Sequence, residues 1–182
     1  MHPYLIERFK AKVDEESAFG IKKFLKTGSL RKGTVLRPRD SCGVDADIAV
    51  YLTTIDATEY DLNYLHEQLR KSLIAIYPTK RPDDFAVQPR TLGITFQTSG
   101  LDVDLVPIIP IEGPGDYGWQ PSSRGEPSLK TSVTGQLEFI RARKNRCSRF
   151  TSLVRLLKHW RNYHELDDSL RSIIILRQSR RS

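Results

Sequence analysis

The sequence predicts an α+β fold in which a mixed or antiparallel sheet carries a group of carboxylates and is flanked by helices. Two patterns lead to this fold class. At residues 44–52 and 101–109, runs rich in valine, leucine and isoleucine contain aspartates at alternating positions, as half-buried strands do. At 4–24, at 59–77 and from 148 onward, apolar residues recur at mostly helical spacing.

Size and composition limit the possible classes of protein. The 182 residues suffice for one compact domain or slightly more. Hydrophobic residues make up 38% of the chain and charged residues 28%, and no apolar run approaches the ~20 residues of a membrane span. We therefore expect a soluble protein that makes no membrane contact. The N-terminus lacks an export signal, so we also expect a cytoplasmic location.

The N-terminal half begins with a predicted helix over residues 4–24, in which Gly20 is a candidate helix breaker. The next predicted element is a strand over Val44–Leu52 that places Asp45 and Asp47 on one face. A second helix is predicted over 59–77, because Pro78 stops the helical pattern.

The C-terminal half begins with two predicted strands, 91–96 and 101–109, joined by residues 97–100 with the composition of a hairpin turn. Residues 110–127 are rich in proline and glycine and predict a loop. The pattern over 129–145 is ambiguous, with a helix from near Ser132 as one interpretation. From Ser148, an apolar stripe that includes Leu153, Leu157 and Trp160 predicts an amphipathic helix.

The carboxylates are the most informative feature of the sequence. Asp45 and Asp47 alternate on one predicted strand, and Asp102 and Asp104 alternate on another. An ionised carboxylate within an apolar strand is unfavourable unless a positive charge compensates it. Mg²⁺ prefers such oxygen ligands when it shares its coordination shell with phosphates. Solvated strand ends are the alternative, but two pairs on two strands favour a metal site.

Residues 28–34, Gly-Ser-Leu-Arg-Lys-Gly-Thr, form a candidate phosphate-binding loop. Glycine lets backbone amides approach an anion closely, and Ser29 adds a hydroxyl donor. The loop lacks the glycine patterns of Walker NTPases and of dinucleotide-binding folds.

Positive charge is concentrated in the C-terminal part of the sequence, since residues 141–182 carry +9 and the first 140 residues carry −2. This basic segment predicts a polyanionic partner, either ligand phosphates or nucleic acid, with a solvated basic face as the alternative.

Together these motifs resemble the DNA polymerase β-like nucleotidyltransferase superfamily. Within it, they are most similar to the cyclic GMP-AMP synthase-like and oligoadenylate synthase-like bacterial enzymes of anti-phage signalling, the CD-NTase or SMODS group. The matching segments are residues 26–34, Arg37-Pro38, 44–48, 103–107 and 153–160, in the order in which the family has them.

The resemblance implies a polymerase β-like core that joins nucleoside triphosphates into a cyclic or linear oligonucleotide messenger of CBASS signalling and releases pyrophosphate. ATP is the expected substrate, and a nucleic acid or a regulatory protein is a candidate partner. The implied cofactor is Mg²⁺ or Mn²⁺. The residue roles that the resemblance implies are metal binding by Asp45, Asp47 and Asp104, phosphate binding by Gly28 and Ser29, and a triphosphate contact by Lys158. Arg31 and Lys32 are candidates for further phosphate contacts, and Asp102 is a candidate to assist Asp104.

Members of the family usually continue beyond the lysine-bearing helix into a helical half, whereas 22 residues follow Trp160 in this sequence. We therefore expect a catalytic core with its N-terminal helix at 1–147, and the start of a truncated C-terminal helical region at 148–182. Two alternatives remain open. One is a catalytically incomplete fragment that binds nucleotide or nucleic acid, and the other is an antitoxin-type nucleotidyltransferase that modifies a protein partner.

Overall fold

A computed structural model describes residues 3–36, 44–53, 62–122 and 127–166. The helices are α1 (Pro3–Glu16), α2 (Gly28–Lys32), α3 (Leu62–Ile76), α4 (Val133–Arg146) and α5 (Phe150–Tyr163), with a 3₁₀ turn at Pro82–Asp84. The strands are β1 (Ile21–Lys26), β2 (Val44–Leu52), β3 (Phe85–Val87), β4 (Leu92–Phe96), β5 (Leu101–Pro110), β6 (Tyr117–Gln120) and β7 (Leu129–Ser132). The Arg37-Pro38 part of the motif and the end of the predicted C-terminal region, 167–182, lie outside the described residues.

One mixed sheet contains all seven of these strands. The main path runs β1-β2-β5-β4-β3, and β6 and β7 extend the sheet from the far end of β5. The central pair, β2 and β5, is parallel, whereas the other pairs are antiparallel. This sheet with its flanking helices confirms the predicted α+β class and the predicted hairpin between β4 and β5.

Strand β2 separates two apolar clusters, as its alternating pattern predicts. Ile48, Val50 and Leu52 belong to the larger core, together with Phe9 of α1 and Leu69 of α3. The larger core therefore lies between one face of the sheet and helices α1 and α3. The opposite face of β2 contributes Ala49 and Tyr51 to a smaller cluster with Val133 of α4. The predicted Asp45 and Asp47 alternate with the first set, so they belong to the α4 face.

The predicted helix over 4–24 is wrong in its second part. Helix α1 ends at Glu16, and Ile21–Lys26 forms β1, antiparallel to β2. The Gly20 amide donates to Thr53 Oγ1 at 2.8 Å, and the Ile21 amide donates to Asp14 Oδ1 at 2.9 Å. These bonds start the strand, and pairing with β2 then overrides the helical spacing of the apolar residues.

The predicted loop over 110–127 is also wrong in part, because it contains β6. The short strand pairs with β5 through Ile109 and Trp119 and with β7 through four register pairs. The ambiguous segment after it resolves into β7 and α4. Ser132 caps α4 by accepting a hydrogen bond from the Gly135 amide at 2.9 Å, which agrees with a helix start near Ser132.

Helix α5 agrees with the predicted helix from Ser148 but exposes most of its apolar stripe. Val154 is buried, whereas Leu156 is 63% exposed and Trp160 is 47% exposed. Hydrophobic burial of this helix within the described residues therefore depends mainly on Val154. Of the helices that the structure describes, none is both long and apolar enough to cross a membrane.

Candidate active site

The parallel pairing of β2 with β5 brings the four strand aspartates together. In the register, Asp45 lies opposite Asp102 and Asp47 lies opposite Asp104. Registered residues of neighbouring strands point to the same face, so all four carboxylates lie on the face of the sheet next to α4. Asp45 is exposed, and the other three are half-buried. The two predicted carboxylate strands thus meet in one place.

Gly28, the first residue of α2, packs directly against Asp47. Its φ is +67°, and a Cβ at this position would lie 1.6 Å from Asp47 Oδ2. The Thr27 amide donates to the Asp47 carbonyl oxygen at 2.9 Å and holds the start of α2 on β2. No residue other than glycine fits here unless the Asp47 carboxylate moves. The Gly-Ser loop is therefore positioned by the second carboxylate of the Asp-x-Asp pair.

A left-handed glycine also ends this helix. Gly33 has a φ of +70°, and its amide donates to the Leu30 carbonyl oxygen at 3.2 Å. The next amide, of Thr34, donates to the carbonyl oxygen of Ser29 at 2.9 Å. The single turn of α2 is thus closed at its end by backbone bonds, and Ser29 lies half-buried within it.

The carboxylates repel one another. Burial together with the negative charges of Asp47, Asp45 and Asp102 raises the pKa of Asp104 to about 6. Burial also raises the pKa of Asp47, although the positive charge of Lys32 opposes the effect, and the negative charge of Asp45 adds to it. Ionising the whole group is therefore unfavourable without a nearby cation.

Two lysines from different helices supply positive charge to this group. Burial lowers the pKa of Lys32, while Asp47 opposes this effect. Burial and the neighbouring charges of Arg161 and Lys32 lower the pKa of Lys158, while Asp47 opposes them. The two lysines therefore approach the carboxylates from α2 and α5. Arg31 is exposed at the end of α2, where it lines a cavity toward α4.

Sequence patterns did not indicate a second polar cluster that holds α4 on the sheet. The Asp116 carboxylate accepts hydrogen bonds from the Tyr51 hydroxyl at 2.9 Å, from the Thr134 amide at 2.9 Å and from the Ser132 hydroxyl. Burial alone would raise the pKa of Asp116, but these hydrogen bonds outweigh it and lower the pKa to about 2. Tyr51 lies on the same face of β2 as Asp47, so the cluster fixes α4 relative to the carboxylate strand.

The donor set fits a hard divalent cation that is held by an open site. Within the described residues, no three acidic, histidine or cysteine side chains form a group that could hold a metal ion by themselves. Mg²⁺ commonly uses only one or two carboxylates and completes its shell with water and phosphate oxygens. The raised pKa of Asp104 is the electrostatic signature of carboxylates whose repulsion such a cation would relieve.

Known proteins are similar to this chain in sequence and fold, although no protein-family model matches the sequence. The chain is 33% identical over 161 residues to a CBASS oligonucleotide cyclase CdnC of Escherichia coli strain KTE188, which covers 88% of this chain and 51% of that protein. It is 34% identical over 157 residues to a cyclic AMP-AMP-AMP synthase of E. coli strain MS 115-1, covering 86% of this chain and 47% of that protein. The chain therefore spans about half the length of the curated relatives it matches.

Solved structures give the same result. E. coli MS115-1 CdnC with ATP has a TM-score of 0.69 and 33% identity, with 90% of this chain and 50% of that chain covered. The complex of the same protein with HORMA-deltaN has a TM-score of 0.65, with 88% of this chain and 50% of that chain covered. The similarity therefore extends over about nine tenths of this chain and over half of the solved chains.

Proposed function

The chain belongs to the CD-NTase group of the DNA polymerase β-like nucleotidyltransferase superfamily, and on this basis we propose that it joins nucleoside triphosphates into a cyclic or linear oligonucleotide. The reaction would release pyrophosphate and serve anti-phage CBASS signalling. ATP is the proposed substrate, since the solved CdnC structure contains ATP and one relative is a cyclic AMP-AMP-AMP synthase. The observation that carries the proposal is the meeting of Asp45, Asp47 and Asp104 on adjacent strands beside Gly28.

Each residue has a role that its surroundings support. Asp104 lies beside Asp47 and Asp45, where burial together with their negative charges raises its pKa, and it would accept a proton from an attacking ribose hydroxyl. Gly28 has no side chain, so the backbone at the start of α2 packs directly against Asp47, and there it would contact the phosphate chain. Lys32 and Lys158 reach the same region from two helices and would hold the negative charge of the triphosphate in place.

Asp45, Asp47 and Asp104 are also the residues that would hold magnesium or manganese. When bound, the metal would neutralise charge on the phosphate oxygens and make the attacking hydroxyl more acidic. We propose residues 1–147 as the catalytic core and residues 148–182 as the start of a further helical region. A regulatory protein is a proposed partner, because a solved CdnC is in complex with HORMA-deltaN. Co-elution of this chain with that protein in size-exclusion chromatography would test the partner.

Incubation of the purified chain with labelled ATP, GTP, CTP and UTP in Mg²⁺ or Mn²⁺ tests the activity. We expect oligonucleotide products and pyrophosphate, and we expect Asp45→Asn/Asp47→Asn to reduce them at least about a hundredfold. The matched control is Asp83→Asn, which removes an exposed carboxylate in the 3₁₀ turn and should leave the rate unchanged. If the wild type leaves all four nucleotides unaltered, as the double variant does, the proposed activity is wrong.

Metal binding can be measured independently of turnover. Mg²⁺ should raise the unfolding temperature of the wild type, because it relieves the repulsion among the carboxylates only in the folded state. Asp45→Asn/Asp47→Asn should abolish this increase, and Asp83→Asn should retain it. An equal increase in all three proteins would show that the ion binds elsewhere.

A further inference from the structure

A basic cavity lies between α2 and α4. Its volume is about 280 Å³, and four of its lining residues are cations: Arg31 and Lys32 from α2, and Arg141 and Lys144 from α4. Asn145 adds an amide to the lining, and the remaining surface is apolar side chain of α4. None of the described residues that line the cavity is a carboxylate. Two helices that are far apart in sequence therefore place four cationic residues along one concave site.

Apart from the attraction between Lys32 and Asp47, these positive charges are not compensated by the described residues. The ion pairs among those residues lie within α1, within α3 and at the 3₁₀ turn, and none includes a cation of the cavity. Lys32 donates to Gln136 Oε1 at 2.9 Å, which is a neutral acceptor. Holding like charges together in this way is unfavourable unless an anion occupies the space between them. The charge pattern of the cavity is thus complementary to an anion.

The cavity is distinct from the carboxylate group. Gly28, at the start of α2, packs against Asp47, whereas the cavity is lined by the last two residues of the same helix. Lys32 alone belongs to both, since its charge also acts on Asp47. Arg141 and Lys144 have no role in the proposed reaction. A ligand in this cavity would therefore be held mainly by residues outside the proposed active site.

The chemistry of the lining identifies the class of ligand. Arginine binds phosphate oxygens in a bidentate manner, and lysine binds them as a point charge. The volume is at the lower limit of pockets that enclose a whole organic ligand, which favours a small, highly charged group. We propose that the cavity between α2 and α4 is a separate binding site for an oligophosphate anion. The anion would be either a free inorganic oligophosphate or the phosphate chain of a nucleotide.

Calorimetric titration with sodium tripolyphosphate tests this site, with EDTA present so that no metal-dependent binding contributes. We expect the wild type to bind, and we expect Arg141→Gln/Lys144→Gln to weaken the affinity at least about tenfold. The matched control is Arg143→Gln/Arg146→Gln, which removes the same charge from the same helix outside the cavity and should change affinity less than about twofold. Lys144→Arg keeps the charge and should retain binding.

The outcomes separate this proposal from its alternatives. Equal loss in the two double variants would overturn it, because it would show that only the general charge of α4 matters. Absence of tripolyphosphate binding to the folded wild type would overturn it as well. Titration of the wild type and of Arg141→Gln/Lys144→Gln with ATP in EDTA distinguishes the two sources, since the variant would lose ATP affinity only if the cavity binds nucleotide phosphates. If the cavity variant loses only the binding of a duplex oligonucleotide, the ligand class is wrong. None of these measurements requires turnover, so they stand apart from the test of the proposed reaction.

Discussion

Replacement of Gly28 by alanine tests whether close packing against Asp47 shapes the site. The residue has a φ of +67°, and a Cβ would lie 1.6 Å from Asp47 Oδ2, 2.3 Å from its Cγ and 2.7 Å from its Cβ. The left-handed backbone alone makes alanine less stable than glycine by about 1 kcal/mol. Displacing a packed side chain adds about 1–3 kcal/mol. We therefore expect Gly28→Ala to lower the free energy of unfolding by about 2–4 kcal/mol.

Gly33 provides a matched control on the same helix. Its φ of +70° is nearly the same, but among the described residues a Cβ there would meet only Lys144 Nζ, at 4.0 Å. Gly33→Ala should therefore lower stability only by the backbone contribution of about 1 kcal/mol. Urea unfolding of both variants measures the difference, and Asp47→Gly should remove most of the extra cost of Gly28→Ala. Equal costs for the two alanine variants would refute the packing argument.

Three further predictions concern pH and packing. Asp116→Asn should lower stability by about 1 kcal/mol at neutral pH because it weakens the hydrogen bonds to Asp116. With a folded pKa near 2 and an ordinary value of 3.8, that contribution should disappear as the pH falls from about 4 to 2 in acid-titrated unfolding. Asp104→Asn in EDTA should stabilise the protein by about 1 kcal/mol at pH 8, because it removes a carboxylate whose pKa is raised on folding. This magnitude is reduced because the side chain is partly exposed. The substitution should have no effect near pH 3, where the carboxyl is mostly protonated in both the folded and the unfolded state. Val154→Ala should lower stability by about 2 kcal/mol, and Leu156→Ala, on the exposed side of α5, by less than about 0.5 kcal/mol in urea unfolding.

The sequence predicted an element correctly where a local pattern of apolar and polar residues was enough to determine it. The alternation over Val44–Leu52 identified both the strand and the face that carries Asp45 and Asp47, because the side chains of a strand alternate strictly. Residues 21–26 were misassigned, because their pairing with β2 is a long-range contact that local periodicity does not contain. The registers of β6 and β7 were missed for the same reason, since short strands exist only through their partners.

The contacts that position the site were harder to predict than the residues that form it. Lys32 and Gln136 are 104 positions apart in sequence, and their side chains meet at 2.9 Å. Tyr51 and Asp116 are 65 positions apart, and no sequence spacing relates them. Aspartates within apolar strands can be recognised from the sequence as candidate site residues, because burying their charge is unfavourable unless it is compensated. A tyrosine or a glutamine is uncharged, so its place in the sequence gives no such indication.

Helix α4 therefore contacts both the carboxylate strand β2 and helix α2. The Asp116 cluster holds the start of α4 on β2, next to the strand that carries Asp45 and Asp47. The bond from Lys32 to Gln136 holds the same helix on α2, which itself packs on Asp47. The loop, the carboxylate strand and α4 thus form a closed set of contacts. Because the basic cavity is lined by Arg141 and Lys144 of α4 and by the end of α2, a ligand bound there would contact both helices. A shift of α2 would in turn move Gly28, which packs against Asp47.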